Sequence, residues 1–141
     1  MTNIPAELRA SMENCPYSRL LGLRLLELAE GYAKVAVKLG PEHANFLGGV
    51  NGGLILSLAD YGFACSCNTL GQVRVAVQFN MNFLSAPAFG GDLRAEARTV
   101  HAGKTIVLAE ISITDTSGKL VAKATGTGIT RPSPGAAKTK A

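Results

Sequence analysis

Residues 32–39 alternate strictly, with Val35, Val37 and Leu39 pointing one way and Lys34, Ala36 and Lys38 the other. With residues 23–30 before them and a Glu30-Gly31 corner between, they predict a β-hairpin with one buried face. Residues 40–50 (GPEHANFLGGV) break the alternation with Pro and Gly and predict a loop. From 51 to 70 the apolar residues fall nearly all round a 3.6-residue period, the pattern of one long helix buried on most sides. Gly71 fits its end. Alternation returns over 73–84, placing Val73, Val75, Val77, Phe79, Met81 and Phe83 on one face and Ala76, Gln78, Asn80 and Asn82 on the other. Strands over 92–101, 104–114 and 119–130 follow, linked by turns at Ala102-Gly103 and 116–118. Ahead of the hairpin, residues 5–14 predict a short leading helix with Pro5 tolerated in its first turn.

These elements predict an α+β fold. An antiparallel sheet needs one face covered, and a single long apolar helix is available to cover it, so the sheet is expected to wrap around a central helix. The expected organisation is a leading helical segment over 1–14, one domain over 15–130 and a disordered basic tail over 131–141 (RPSPGAAKTKA).

Composition sharpens this picture. The 141 residues are 47% hydrophobic and only 17% charged, against about 25% charged for an average soluble protein. The longest apolar stretch is interrupted by Asp60 and by scattered Gly, Ser, Asn and Thr, which excludes a membrane helix of about 20 apolar residues. The first 16 residues carry acids and lack an apolar signal core, so the expected location is cytoplasmic. The missing surface charge is then explained by self-association, as a dimer or a dimer of dimers. Three of the net four positive charges belong to Arg131, Lys138 and Lys140. Without a basic stripe interleaved with aromatics in the body of the chain, nucleic acid is not an expected partner.

The candidate chemistry is sparse. From Ala44 to Val73 the only ionisable acid or base is Asp60, whose helical neighbours Gly53, Leu56, Ser57, Phe63, Ala64 and Cys67 are all uncharged. A carboxylate buried there would carry a raised pKa or serve chemistry. The same helix opens on Gly48-Gly49-Val50-Asn51-Gly52-Gly53. Unpaired N–H groups at such a start can hold a ligand oxygen or a developing oxyanion; the ordinary alternative is a Gly-rich turn with Asn51 as N-cap. Gly52 and Asp60 are eight residues apart, about 12 Å along a helix. They can cooperate only if two antiparallel copies of the helix meet across a dimer. His43 and His101, the only histidines, are too few for a zinc site and read as surface residues, so no metal is expected. Cys15, Cys65 and Cys67 read as buried, inert thiols.

The run from His43 to Gly53 (HANFLGGVNGG), followed by Leu58-Ala59-Asp60, resembles the hotdog-fold acyl-CoA thioesterases, and among them the phenylacetic-acid-degradation (PaaI-like) branch. The stretches around Gly91-Asp92-Leu93-Arg94-Ala95, His101-Ala102-Gly103-Lys104 and Ser117-Gly118-Lys119 extend the likeness over about residues 15–130. The resemblance implies a hotdog fold and hydrolysis of acyl-CoA thioesters, aryl-acetyl or medium-chain, without a further cofactor. It implies that Asp60 is nucleophile or general base, that the Gly52 N–H polarises the carbonyl, and that Asn45 arranges water or carboxylate. The site it implies lies between two subunits, commonly of a tetramer. The family usually has His where this chain has Asn51, and some relatives carry a Ser near the position of Ala76. Asn can cap a helix and hydrogen-bond but does not carry a proton near neutral pH. Gly53, Tyr61, Phe63 and Phe83 are the expected substrate contacts, each aromatic equally placed to be core, with Lys104 toward the CoA phosphates. The alternative reading is a non-catalytic acyl-CoA binding protein on the same fold.

Overall fold

A computed structural model describes residues 3–132. Two short helices, α1 (Ala6–Glu13) and α2 (Pro16–Leu21), lead into the hairpin of β1 (Leu23–Ala29) and β2 (Tyr32–Lys38). A 3-10 turn at Pro41–His43 precedes the long helix α3 (Gly52–Asn68). Four strands follow: β3 (Val73–Phe83), β4 (Asp92–Ala102), β5 (Ile106–Thr114) and β6 (Leu120–Arg131). All pairings in the six-stranded sheet are antiparallel, in the order β1-β2-β4-β5-β6-β3. The fold is the expected α+β sheet curled around one helix. Hydrophobic patterning does not predict the short α2 or the 3-10 turn, since neither is long enough to show a helical period. Arg131 ends β6, whereas most of the proposed tail, residues 133–141, lies outside the described residues.

The concave face of the sheet explains how close the helix can come. Ala33, Val35, Ala95, Ala97, Ala109, Ala122 and Ala124 are all buried beneath it, and most are too small to hold it off. A side chain at Gly62 would lie 3.4 Å from Ala97 and Val35. Gly126 is still more demanding: a Cβ there would stand 2.6 Å from the Phe63 ring. Phe63 fills that recess and meets Phe79 edge-on at 5.9 Å. The far end of α3 is tied to the hairpin, where the Gly31 N–H donates to Thr69 Oγ1 at 2.8 Å and the Gly31 carbonyl accepts from Thr99 N–H.

Two expectations from hydrophobic patterning change. The pairing of β3 with β6 shifts register between Ala76 and Gln78, leaving Val77 without a partner. This β-bulge reverses the alternation. Phe79 and Met81 therefore pack on the core, while Val75 and Val77 are exposed, so the six residues do not share one face. Nor is α3 buried all round: Gly53, Leu56 and Asp60 form an exposed stripe from its first turn to its third.

Candidate active site at the start of the central helix

The loop before α3 is a small hydrogen-bonded structure. Asn45 organises it: Oδ1 accepts from the N–H groups of Leu47 at 2.9 Å and Gly49 at 3.1 Å. Its backbone N–H donates to the Gly49 carbonyl at 2.7 Å, and its carbonyl accepts from Gly48 N–H. Gly48 has φ 85°, a left-handed conformation suited to glycine. Phe46 and Leu47 are thereby held out at the loop tip, with Phe46 97% exposed.

Asn51 closes the loop and starts the helix. Its N–H donates to the His43 carbonyl at 2.8 Å. Its Oδ1 accepts from the Gly53 N–H at 2.7 Å, the N-cap geometry. Gly53 is thus already engaged in the protomer. The Gly52 N–H has no acceptor among the described residues, and it stands at the positive end of the helix dipole. Phe83, from the end of β3, lies across this point; its ring is 3.4 Å from where a Gly52 side chain would begin, yet it remains 55% exposed.

Asp60 is two turns along the same helix. It is exposed in the protomer, which corrects the expectation of a buried acid: the stripe carrying it is not covered by the sheet. Surrounding protein atoms still remove enough water to raise its carboxyl above the ordinary range, and desolvation is the only cause. No ion pair or hydrogen bond compensates it among the described residues. The carboxylate is consequently basic for an aspartate and open to whatever approaches the stripe.

Three further residues stand near this stripe: Ser57 and His43, which the sequence pattern assigns no role in the site, and Tyr17. Tyr17 of α2 places its hydroxyl 3.2 Å from Ser57 Oγ, one turn beyond Gly53. A cavity of about 290 Å³ opens here, lined by Tyr17, Leu21, His43, Asn51, Gly53 and Ser57 among others. His43 is 7% exposed, not the surface histidine expected, because its ring is hydrogen-bonded into the loop. Only the 3-10 turn at 41–43 could have signalled this, and three residues carry no period. A larger open cleft of about 570 Å³ between α1, α2 and β1 contains none of the helix-start groups.

The structure brings Asn45, Asn51, Gly52, Gly53 and Phe83 together and leaves Asp60 about 12 Å away along the helix. Tyr61 is buried and donates its hydroxyl to the Met12 carbonyl at 2.7 Å, tying α1 to α3. Phe63 is 1% exposed and packs against the sheet. Core packing accounts for both rings without a ligand. Lys104 is exposed in the β4–β5 turn, at the opposite end of α3 from Gly52: the adjacent Gly103 carbonyl accepts from Arg74, whose own backbone is bonded to Asn68. Among the cysteines, Cys65 and Cys67 are buried as expected, and burial pushes the Cys65 thiol up to about 12. Cys15 is only partly buried, and hydrogen bonding from Ser18 holds its thiol below the usual value. Among the described residues no three acids, histidines or cysteines cluster as metal ligands, and no helix is long and apolar enough to cross a membrane.

An open helix N-terminus facing an exposed loop, with a lone acid two turns on and a sheet wrapped around the helix, matches a known family. The model of the thioesterase superfamily matches residues 47–122, from the loop before α3 into β6. The chain belongs to the thioesterase superfamily. Within it, acyl-coenzyme A thioesterase PaaI of Escherichia coli is 35% identical over 114 residues, covering 80% of this chain and 81% of the relative. The solved structure of the E. coli PaaI protein superposes with a TM-score of 0.84 at 31% identity, over 88% of this chain and 90% of that one. Human acyl-coenzyme A thioesterase 13 is 31% identical over 76% of this chain and 79% of its own length. The structure of smu.793 from Streptococcus mutans, bound to acetyl CoA, matches with a TM-score of 0.75 at 26% identity, over 77% of this chain and 88% of that one. The fold is thus the hotdog fold, and thioester hydrolysis is the superfamily's reaction.

Proposed function

We propose that this thioesterase hydrolyses acyl-CoA thioesters at a site completed by a second copy of the chain, with the Gly52 N–H of one protomer facing Asp60 of the other. The observation that carries the reading is the unpaired Gly52 N–H at a helix start, on the same exposed stripe as an uncompensated carboxylate it cannot reach within one chain. Antiparallel juxtaposition of two α3 helices removes the 12 Å gap twice over. The outer strand β3 supports such pairing, since it lies at the edge of the sheet and carries exposed Val75, Val77 and Phe83. The E. coli relative, by its name an acyl-CoA thioesterase, and the acetyl CoA bound in the S. mutans structure support the substrate class.

In this mechanism the thioester carbonyl oxygen accepts from the Gly52 N–H beside Phe83, which walls the acyl group, aryl-acetyl or medium-chain. Asp60 takes a proton from water as the water oxygen bonds to the carbonyl carbon. The oxyanion forms against the Gly52 N–H and the helix dipole, which stabilise it more than the ground-state carbonyl. Collapse breaks the carbon–sulfur bond, expels the CoA thiolate and leaves the carboxylic acid; the proton held by Asp60 passes to the thiolate or to solvent. Asn51 transfers no proton near neutral pH and serves as the helix cap, so proton transfer rests on Asp60. The antiparallel arrangement also brings the β4–β5 turn, which carries Lys104 at the far end of α3, toward the partner's loop, where its positive charge suits the CoA phosphates.

The test is CoA release from phenylacetyl-CoA and medium-chain acyl-CoA by wild type and Asp60→Asn. Loss of general-base catalysis costs about 100- to 10,000-fold. Equal rates would remove Asp60 from the mechanism, and saturable binding without wild-type turnover would establish the binding-protein reading instead. Single turnover in ¹⁸O-water detects direct attack where water then opens the mixed anhydride at the Asp60 carbonyl carbon, because that route alone leaves the label in the Asp60 carboxylate.

A further inference from the structure

We infer that His43 is the positioning residue of the oxyanion site, an inference that rests on the proposed role of Gly52 and adds a residue to it. His43 makes four hydrogen bonds that converge from three segments. Its ring Nδ1 accepts from the Gly40 N–H at 3.1 Å, so a neutral ring carries its proton on Nε2. Nε2 then donates to the Leu21 carbonyl at 3.1 Å, capturing one of the free carbonyls at the end of α2. The backbone N–H donates to the Gly40 carbonyl at 3.0 Å. The backbone carbonyl accepts from the Asn51 N–H at 2.8 Å.

The last bond connects the ring to the chemistry. Asn51 is the cap whose Oδ1 takes the Gly53 N–H and leaves that of Gly52 open. The direction of the Gly52 N–H depends on where Asn51 sits, and the Asn51 backbone is held by the His43 carbonyl. The antiparallel bridge between Ala44 and Val50 runs beside the same bond and transmits the placement of His43 across the loop. The ring in turn fixes His43 against α2 and the 3-10 turn, on the wall of the 290 Å³ cavity that also holds Asn51 and Gly53. A histidine suits the place because its two nitrogens accept on one side and donate on the other; a purely apolar side chain of the same size would leave the Gly40 N–H and Leu21 carbonyl unmet.

The experiment measures steady-state kinetics and amide exchange in His43→Ala and His43→Gln. The alanine variant is expected to lower kcat about tenfold or more with KM changed by less than about threefold, because a misaimed oxyanion donor is felt in the transition state. Exchange should quicken at Asn51 and Gly53 and stay unchanged at Val107 and Ile111 in β5. Gln keeps a donor for the Leu21 carbonyl and should recover part of kcat. If alanine unfolds the whole chain, the same kinetics and exchange in the Gln variant decide the matter. The inference is overturned if kcat stays within about twofold of wild type with Asn51 and Gly53 still protected, or if exchange rises equally in β5. Absence of turnover in wild type would instead refute the thioesterase site, and exchange at Asn51 and Gly53 would still decide the role of His43.

Discussion

Replacing Gly52 with alanine separates the folding role of the helix start from its chemical role. The variant keeps the N–H, and Gly52 does not need a left-handed conformation. Its new methyl would sit 3.4 Å from Phe83 Cζ and 3.5 Å from Cε1, close but relieved by a small swing of a half-exposed ring. Alanine also reduces the freedom of the unfolded chain, a gain of about 0.4–1 kcal/mol that offsets the tight contact. Stability should therefore change by no more than about 0.5 kcal/mol, or roughly 2 °C in Tm. Activity should respond differently. Side chains on a helix lean toward its N-terminus, so the methyl projects toward the space where the carbonyl oxygen must approach the Gly52 N–H. A displacement of about 1 Å there costs up to a hundredfold, and a loss of 10- to 100-fold in kcat/KM corresponds to about 1.4–2.7 kcal/mol of transition-state stabilisation. Thermal unfolding and CoA release measured on one preparation make the comparison. An alanine variant with unchanged kcat/KM would refute the placement of the oxyanion at Gly52; a fall in both Tm and activity would refute the claim that the position is chemically rather than structurally demanding.

Asp60→Asn should carry a pH signature as well as an activity loss. Desolvation raises the folded-state pKa of Asp60, so wild-type kcat/KM should fall with decreasing pH at values above the ordinary aspartate pKa of about 3.9. The folded state then binds that proton more tightly than the unfolded one, so stability is lost as pH rises from the ordinary aspartate value of about 3.9 through the folded pKa, and the loss is complete above it. The Asn variant should melt higher than wild type at neutral pH, and the difference should vanish below about pH 3.9; a lower melting point at neutral pH would contradict the desolvation. Gly126→Ala drives a methyl into the Phe63 ring and should cost about 1–3 kcal/mol by denaturant unfolding; an unchanged midpoint would mean the recess is not closed. Tyr61→Phe removes the bond to the Met12 carbonyl and should cost about 1–2 kcal/mol with KM unchanged, whereas a raised KM with unaltered stability would put Tyr61 in the acyl pocket.

Much of the fold was legible because long elements repeat their pattern many times. The β1–β2 hairpin, α3 and the last three strands stand within two residues or so of where alternation and helical period place them. Asp60 and the glycines were legible for a chemical reason: one charge in an apolar stretch and a glycine run at a helix start stand out against their neighbours. What stayed hidden depends on contacts across the chain. The bulge at Val77 is set by the ladder with β6, and a strand's own residues do not reveal where its partner skips one. The exposure of Leu56 and Asp60 follows from the lateral reach of the sheet, which hydrophobicity alone does not measure. His43 was missed because its partners are backbone groups at Leu21 and Gly40, which every sequence contains.

The skipped residue in β3 also bears on what the chain must avoid. An open strand lined with exposed valines is a template on which copies could add without end. The irregularity at Val77 divides the ladder with β6 into two stretches, and a bulge of this kind bends and twists the strand that carries it. An incoming strand can follow one stretch in good register but loses pairing when it crosses the break. The same defect that spoils the alternation therefore works as a stop signal, favouring one finite, closed contact over fibrous growth.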